Sequence, residues 1–170
     1  MKRAAHGLVL VGLCLIFGCQ RSLVHTASPS TSLEQLLLQW QADGDEAELV
    51  DAFIALARTA PSNAQLRAFD LSEAQYRSLD EAGRTVKLEN YLSIQGTLRG
   101  MVRAAIERAR AQAASGDQQS ALKTLDAVDR IAEANNGDEM VAIGRLVAQA
   151  IQHSVADARA SLVEALDSRP

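Results

Sequence analysis

From Leu33 onward the apolar positions recur at three- and four-residue intervals, the spacing that lines one face of an α-helix. Leu33, Leu36, Leu37 and Trp40 form the first stripe, and Asp43-Gly44 ends it. Asp45 can cap a second helix, with Glu48 at capping-box distance. Leu49, Ala52, Phe53, Leu56, Ala57 and Ala60 line the inner face of that helix. Pro61 stops it, because the residue before a proline is pushed out of helical geometry. Residues 62–71 carry no clear period and leave room for a short helical turn.

Ser72 and Gln75 then have capping-box spacing, and Leu71 is placed to meet Tyr76 as a hydrophobic staple. Gly83 is expected to break or bend this helix. A long helix is predicted from about Thr85 to Ser115, its inner face marked by Leu88, Tyr91, Leu92, Leu98, Met101, Val102, Ala105, Ala109 and Ala113. Gly116 ends it and Asp117 caps the next, whose stripe is Ala121, Leu125, Val128 and Ala132. In "NNGD", residues 135–138, Gly137 suits a left-handed C-terminal position and Asp138 an N-cap. The last helix is expected to carry Met140, Val147, Ile151, Val155, Ala158, Leu162 and Leu166. No segment reads as a strand. Short turns between long amphipathic helices favour antiparallel neighbours. The predicted fold is therefore all-α: one domain over residues 33–167, built of antiparallel helical hairpins.

Those hairpins suit either an irregular bundle or a short repeat array. Residues 33–61 resemble one tetratricopeptide unit, with Leu33, Leu36, Leu37, Trp40, Leu49, Phe53 and Pro61 at the spaced positions of that family. Leu37 stands where the family prefers glycine, and Leu49 where it prefers alanine. Any antiparallel helical hairpin produces similar spacings, so both architectures stay open.

The chain's first residues follow a different pattern. Lys2 and Arg3 precede an apolar run, Leu8 to Phe17. A ten-residue helix rises about 15 Å, half the roughly 30 Å of a bilayer's hydrocarbon core. A charged start, a short apolar core and a small residue before the cut describe a secretory signal. The junction Ile16-Phe17-Gly18-Cys19 resembles the lipobox of bacterial lipoproteins. The resemblance implies that the Cys19 thiol takes a diacylglyceryl group. It also implies cleavage between Gly18 and Cys19 and acylation of the new amine, palmitate being the usual label. Residues 1–18 are then the signal peptide, and 19–32 the lipidated cysteine and a Ser/Thr-rich flexible tether. A coil of that length spans roughly 20 Å. Cys14 leaves with the signal, so the mature chain keeps no free thiol. Gln20 is not the Asp that in this family often signals retention at the inner membrane. The implied address is the outer membrane, facing the periplasm.

Charge and chemistry narrow the function classes further. The net charge of the 170-residue chain is −4. Lys2 and Arg3 leave with the signal while every acidic residue stays, so the mature value is −6. An acidic surface disfavours nucleic acid. "DGDEAE", residues 43–48, lacks the ligand spacing and glycine of a calcium loop, and reads as helix capping. His153, Ser154 and Asp157 sit too close along one helix to form a triad, so His153 and Asp157 are expected to be a surface pair. Gly96, Gly100 and Ala104 form a small-residue ridge at four-residue spacing, suited to close packing within the monomer or to self-association. Arg99 and Arg103 flank it and could attract an acidic partner or lipid headgroups. Glu107, one turn after Arg103, instead fits an ordinary solvated face. No catalytic residue, metal-ligand set or cofactor fingerprint is assigned.

The expected function is a lipid-anchored helical protein of the bacterial envelope that binds or assembles another protein and is not an enzyme. The alternatives are an enzyme of peptidoglycan or another envelope polymer using two carboxylates across a cleft, and a purely structural spacer.

Overall fold

Leu33, Leu36 and Leu37 are all buried, so the first apolar stripe faces inward as its spacing predicts. The computed structural model describes residues 32–43 and 47–167. Its helices are α1 (Leu33–Asp43), α2 (Ala47–Thr59), α3 (Glu73–Ser78), α4 (Glu81–Ala114), α5 (Gln118–Ala134) and α6 (Ala142–Asp167), with a 3-10 turn at Asn63–Leu66. The described residues hold no named strand, and the fold is an all-α bundle. The lipobox, the tether up to residue 31, Gly44 and the capping signal at Asp45 lie outside them.

The 34-residue α4 is the spine. At 1.5 Å per residue it runs about 50 Å. It pairs with α5 through a three-residue turn at 115–117, where Gly116 has φ 92°, the one positive φ among the described residues. Asp117 caps α5 by accepting from the Ser120 amide. Hydrogen bonding from the Ser120 side chain, then from its amide, holds the exposed Asp117 carboxyl below its ordinary range. On the facing sides lie Ala105, Ala109 and Ala113 of α4 and Ala121, Leu125, Val128 and Ala132 of α5, all buried. Small side chains let these two helices approach closely. The α1–α2 hairpin packs across both, and α6 packs against α4 and α5 from another side.

Polar contacts fix the remaining joints. The Arg130 guanidinium donates to the carbonyls of Ala57 and Ala60, satisfying acceptors that the end of α2 leaves open. Buried Asn135, at the end of α5, accepts from the Ala68 amide through Oδ1. Its Nδ2 donates to the carbonyls of Leu66 and Ile131. The loop after α2 is thereby tied to α5. The capping box at Ser72 forms as expected.

Several expectations are corrected. The break before α4 falls at Leu79–Asp80, not at Gly83. Asp80 accepts from the Gly83 amide at 2.8 Å, so Gly83 sits in the first turn of α4, which starts at Glu81 rather than Thr85. Leu92 is 49% exposed, because the helices packed on α4 leave that face open. Gly137 does not adopt positive φ. Neither Gly137 nor Asp138 caps a helix there: α5 ends in Asn135, and α6 starts only at Ala142. Met140 lies in the connection before α6. It is buried there, forming an isolated antiparallel bridge with Ser72, beside a 2.9 Å bond from the Glu73 amide to the Glu139 carbonyl. A backbone pairing with the α3 connection thus replaces the helical cap that the local sequence favours.

Candidate functional site

α4 and α6 run in the same direction, and two hollows open along the seam between them. At one end Leu88 and Tyr91 of α4 meet Ala142 and Ile143 at the start of α6. Toward the other, Arg99, Arg103 and Ile106 face Ala150, Ile151 and Ser154. Residues 88, 92, 95, 99, 103, 106 and 110 follow three- and four-residue spacing, so the seam is one continuous face of α4.

The first end holds a cavity of about 200 Å³ with mostly apolar walls, closed by Leu71, Tyr76 and Val141. Glu73 stands at its rim, paired with Arg77 at 2.9 Å. Tyr91 forms its base. The ring packs edge-on against Phe69, with centroids 5.4 Å apart, and Lys87 lies over the Phe69 ring. The Tyr91 hydroxyl comes so close to Gly144 that any Cβ there would collide with it. The glycine lets α6 lie on the tyrosine. Burial pushes the Tyr91 phenol up to about 12, with the Gln95 side chain acting more weakly in the other direction. Neither Tyr91 Oη nor buried Gln95 Oε1 has a hydrogen bond of ordinary geometry.

The second end is a groove of about 310 Å³. Val102, Ile106 and Ile151, all buried, supply apolar walls, and Arg99 and Arg103 line the edge. Arg110 is paired with Glu107 at 2.6 Å, so Glu107 does not serve Arg103 as the spacing suggested. Each of these side chains is exposed. Among the described residues, Arg99 and Arg103 have neither a hydrogen bond nor an ion pair through their guanidinium groups. Asp157 lies at the far end of the groove. Exposed Leu92 on α4 and Leu146 on α6, 49% and 64% exposed, lie on the helices between the two ends.

The other sequence candidates fare differently. The small-residue ridge is not a packing seam along its whole length. A Cβ on Gly96 would meet open space, and one on Gly100 would touch Trp40 at 3.8 Å. Ala104 alone packs against the main core. His153 and Asp157 are exposed and share no hydrogen bond or ion pair. Ser154 donates to the Ala150 carbonyl, so the expected surface pair does not form. Cys19 and Gly18 lie outside the described residues. Among those described, no group of three or more His, Cys, Asp or Glu could hold a metal ion, and no helix is long and apolar enough to cross a membrane. Sequence reading weighed Arg99 and Arg103 but favoured an ordinary solvated face for them, and it missed the apolar cavity. Its walls come from α3, α4 and the start of α6, and only tertiary packing brings those together.

No protein-family model, no curated protein and no solved structure matches the chain. The resemblances at residues 16–19 and 33–61 therefore rest on the residues that carry them.

Proposed function

We propose that this is a lipid-anchored helical protein of the bacterial envelope that binds or assembles a partner protein, held at the outer membrane and facing the periplasm. The observation that carries the binding part is the α4–α6 seam: unpaired Arg99 and Arg103 above apolar walls, between two long helices. An apolar floor rimmed by charges that have no internal partner is what a docking surface requires, since burial supplies affinity and the charges select the partner. The anchor rests on Cys19 and the lipobox around it. Three acyl chains, at about 0.8 kcal/mol per buried methylene, exceed the two signals that stable membrane attachment needs.

An envelope-polymer enzyme is less well supported. Among the described residues the buried polar side chains are Gln95, Thr124 and Asn135, with no Asp or Glu among them. The two carboxylates on the groove, Glu107 and Asp157, are exposed, and Glu107 is taken by Arg110.

Two measurements test the proposal. Labelled palmitate should enter the wild-type chain and not a Cys19→Ala variant, and the wild type alone should fractionate with membranes. Affinity capture from solubilised envelopes should enrich a protein over a matrix that carries no bait. A bare thiol at residue 19 in the mature product refutes the anchor; repeated captures that enrich nothing refute the binding role.

A further inference from the structure

We infer that the seam between α4 and α6 receives an acidic amphipathic helix of a partner protein. Its carboxylates meet Arg99 and Arg103, and a large apolar side chain enters the cavity formed by Leu71, Tyr76, Leu88 and Ile143. This rests on the protein-binding reading above and specifies the chemistry of the partner.

Charge complementarity is the first argument. The whole chain is net acidic, yet two guanidinium groups one turn apart on α4 are left without a counter-charge at the edge of a groove. Glu107 is engaged by Arg110, and Asp157 lies toward the same far end. The unmet positive charge is thus concentrated at Arg99 and Arg103. Two cations at helical spacing fit two carboxylates at helical spacing.

Shape is the second. Leu88 and Arg110 lie about 33 Å apart along α4, and a helix laid across the two cavities presents anchors at every three to four residues. Leu88 and Arg99 are about 16 Å apart along α4, the rise of roughly eleven helical residues. The partner should therefore carry its acidic pair ten to fourteen positions from its apolar anchor. Leu92 and Leu146, exposed on the helices between the two ends, suit an apolar middle. An anionic bilayer fits less well, because Glu107 and Asp157 share the groove with the two arginines and would face the same negative surface.

The test is selection from a phage-displayed library of 20-residue amphipathic helices on the full chain held in detergent micelles. Selected peptides should share a pair of Asp or Glu ten to fourteen positions from a large apolar residue. Their affinity should fall about tenfold or more for Arg99→Glu/Arg103→Glu, the scale of two lost ion pairs plus repulsion, and should weaken with added salt. Thermal melting checks that this variant folds; if it does not, Arg99→Gln/Arg103→Gln is read instead and should still weaken binding. Leu88→Asp should lower affinity for the same peptides. Selection of uncharged or basic peptides, or of none, overturns the inference. So does undiminished binding by the arginine variant, or an arginine-dependent association with phosphatidylglycerol vesicles in place of peptide. If envelope capture yields a partner whose binding survives the arginine variant, this inference fails and the protein-binding reading stands.

Discussion

Tyr91 and Gly144 make one unit, and each explains the other. A buried tyrosine fills the space against Phe69, and only a residue without a side chain lets α6 pass over its hydroxyl. Gly144→Ala should cost about 1–3 kcal/mol, the ordinary penalty for overpacking. Tyr91→Phe removes the oxygen but leaves Cζ 3.2 Å from the new Cβ, so it should relieve that penalty in part. A double-mutant cycle by urea denaturation checks this, and a coupling near zero contradicts it. The phenol makes a second prediction. Its folded pKa is raised to about 12 by burial, above the ordinary value of 10.0. A raised pKa means that the folded state holds its proton longer than the unfolded state does. The stability is thus complete below pH 10 and is lost as the pH climbs from 10 toward 12. Urea midpoints across that window should fall more steeply for the wild type than for Tyr91→Phe; parallel curves refute the assignment.

The connections between helices depend on side chains as much as on turn residues. Asn135 ends α5 and also holds the 3-10 turn and Ala68 of the preceding loop. Asn135→Ala strands the Ala68 amide and the Leu66 carbonyl in a buried position. A buried group left unpaired costs about 1–3 kcal/mol. A loss of roughly 3 kcal/mol is expected in denaturant titration, and amide exchange at Ala68 should accelerate. A loss under about 1 kcal/mol would show that the loop is held by other contacts. The same logic explains why α6 starts late. The Asn-Asn-Gly-Asp stretch has the residues of a helix stop and start, but the Met140 bridge to Ser72 holds the chain out of helix until Ala142.

One apolar cluster joins α1, α2, α4, α5 and α6, with Trp40 packed against it from α1. A shared core of this kind predicts a single cooperative transition. In the wild type and in Gly100→Ala alike, Trp40 fluorescence and far-ultraviolet circular dichroism should therefore give coincident urea midpoints. An earlier fluorescence change would mean that α1 leaves before the rest. The arrangement also separates two surfaces. The α1–α2 hairpin covers one side of α4, while the seam with α6 stays open on another.

Local order told most of this before any coordinates did. The all-α class, the spans of α1 and α2, the capping box at Ser72, the Gly116 turn and the Asp117 cap were legible, because each depends on residues a few positions apart. Cys19 as the candidate for lipidation rests on four consecutive residues alone. The exposure of Leu92, the non-helical path at Met140, the pairing of Arg110 rather than Arg103 with Glu107, and the apolar cavity were not legible. Each depends on which helix lies beside which, and neighbours brought together by a shared core outweigh the preferences of a short stretch of chain.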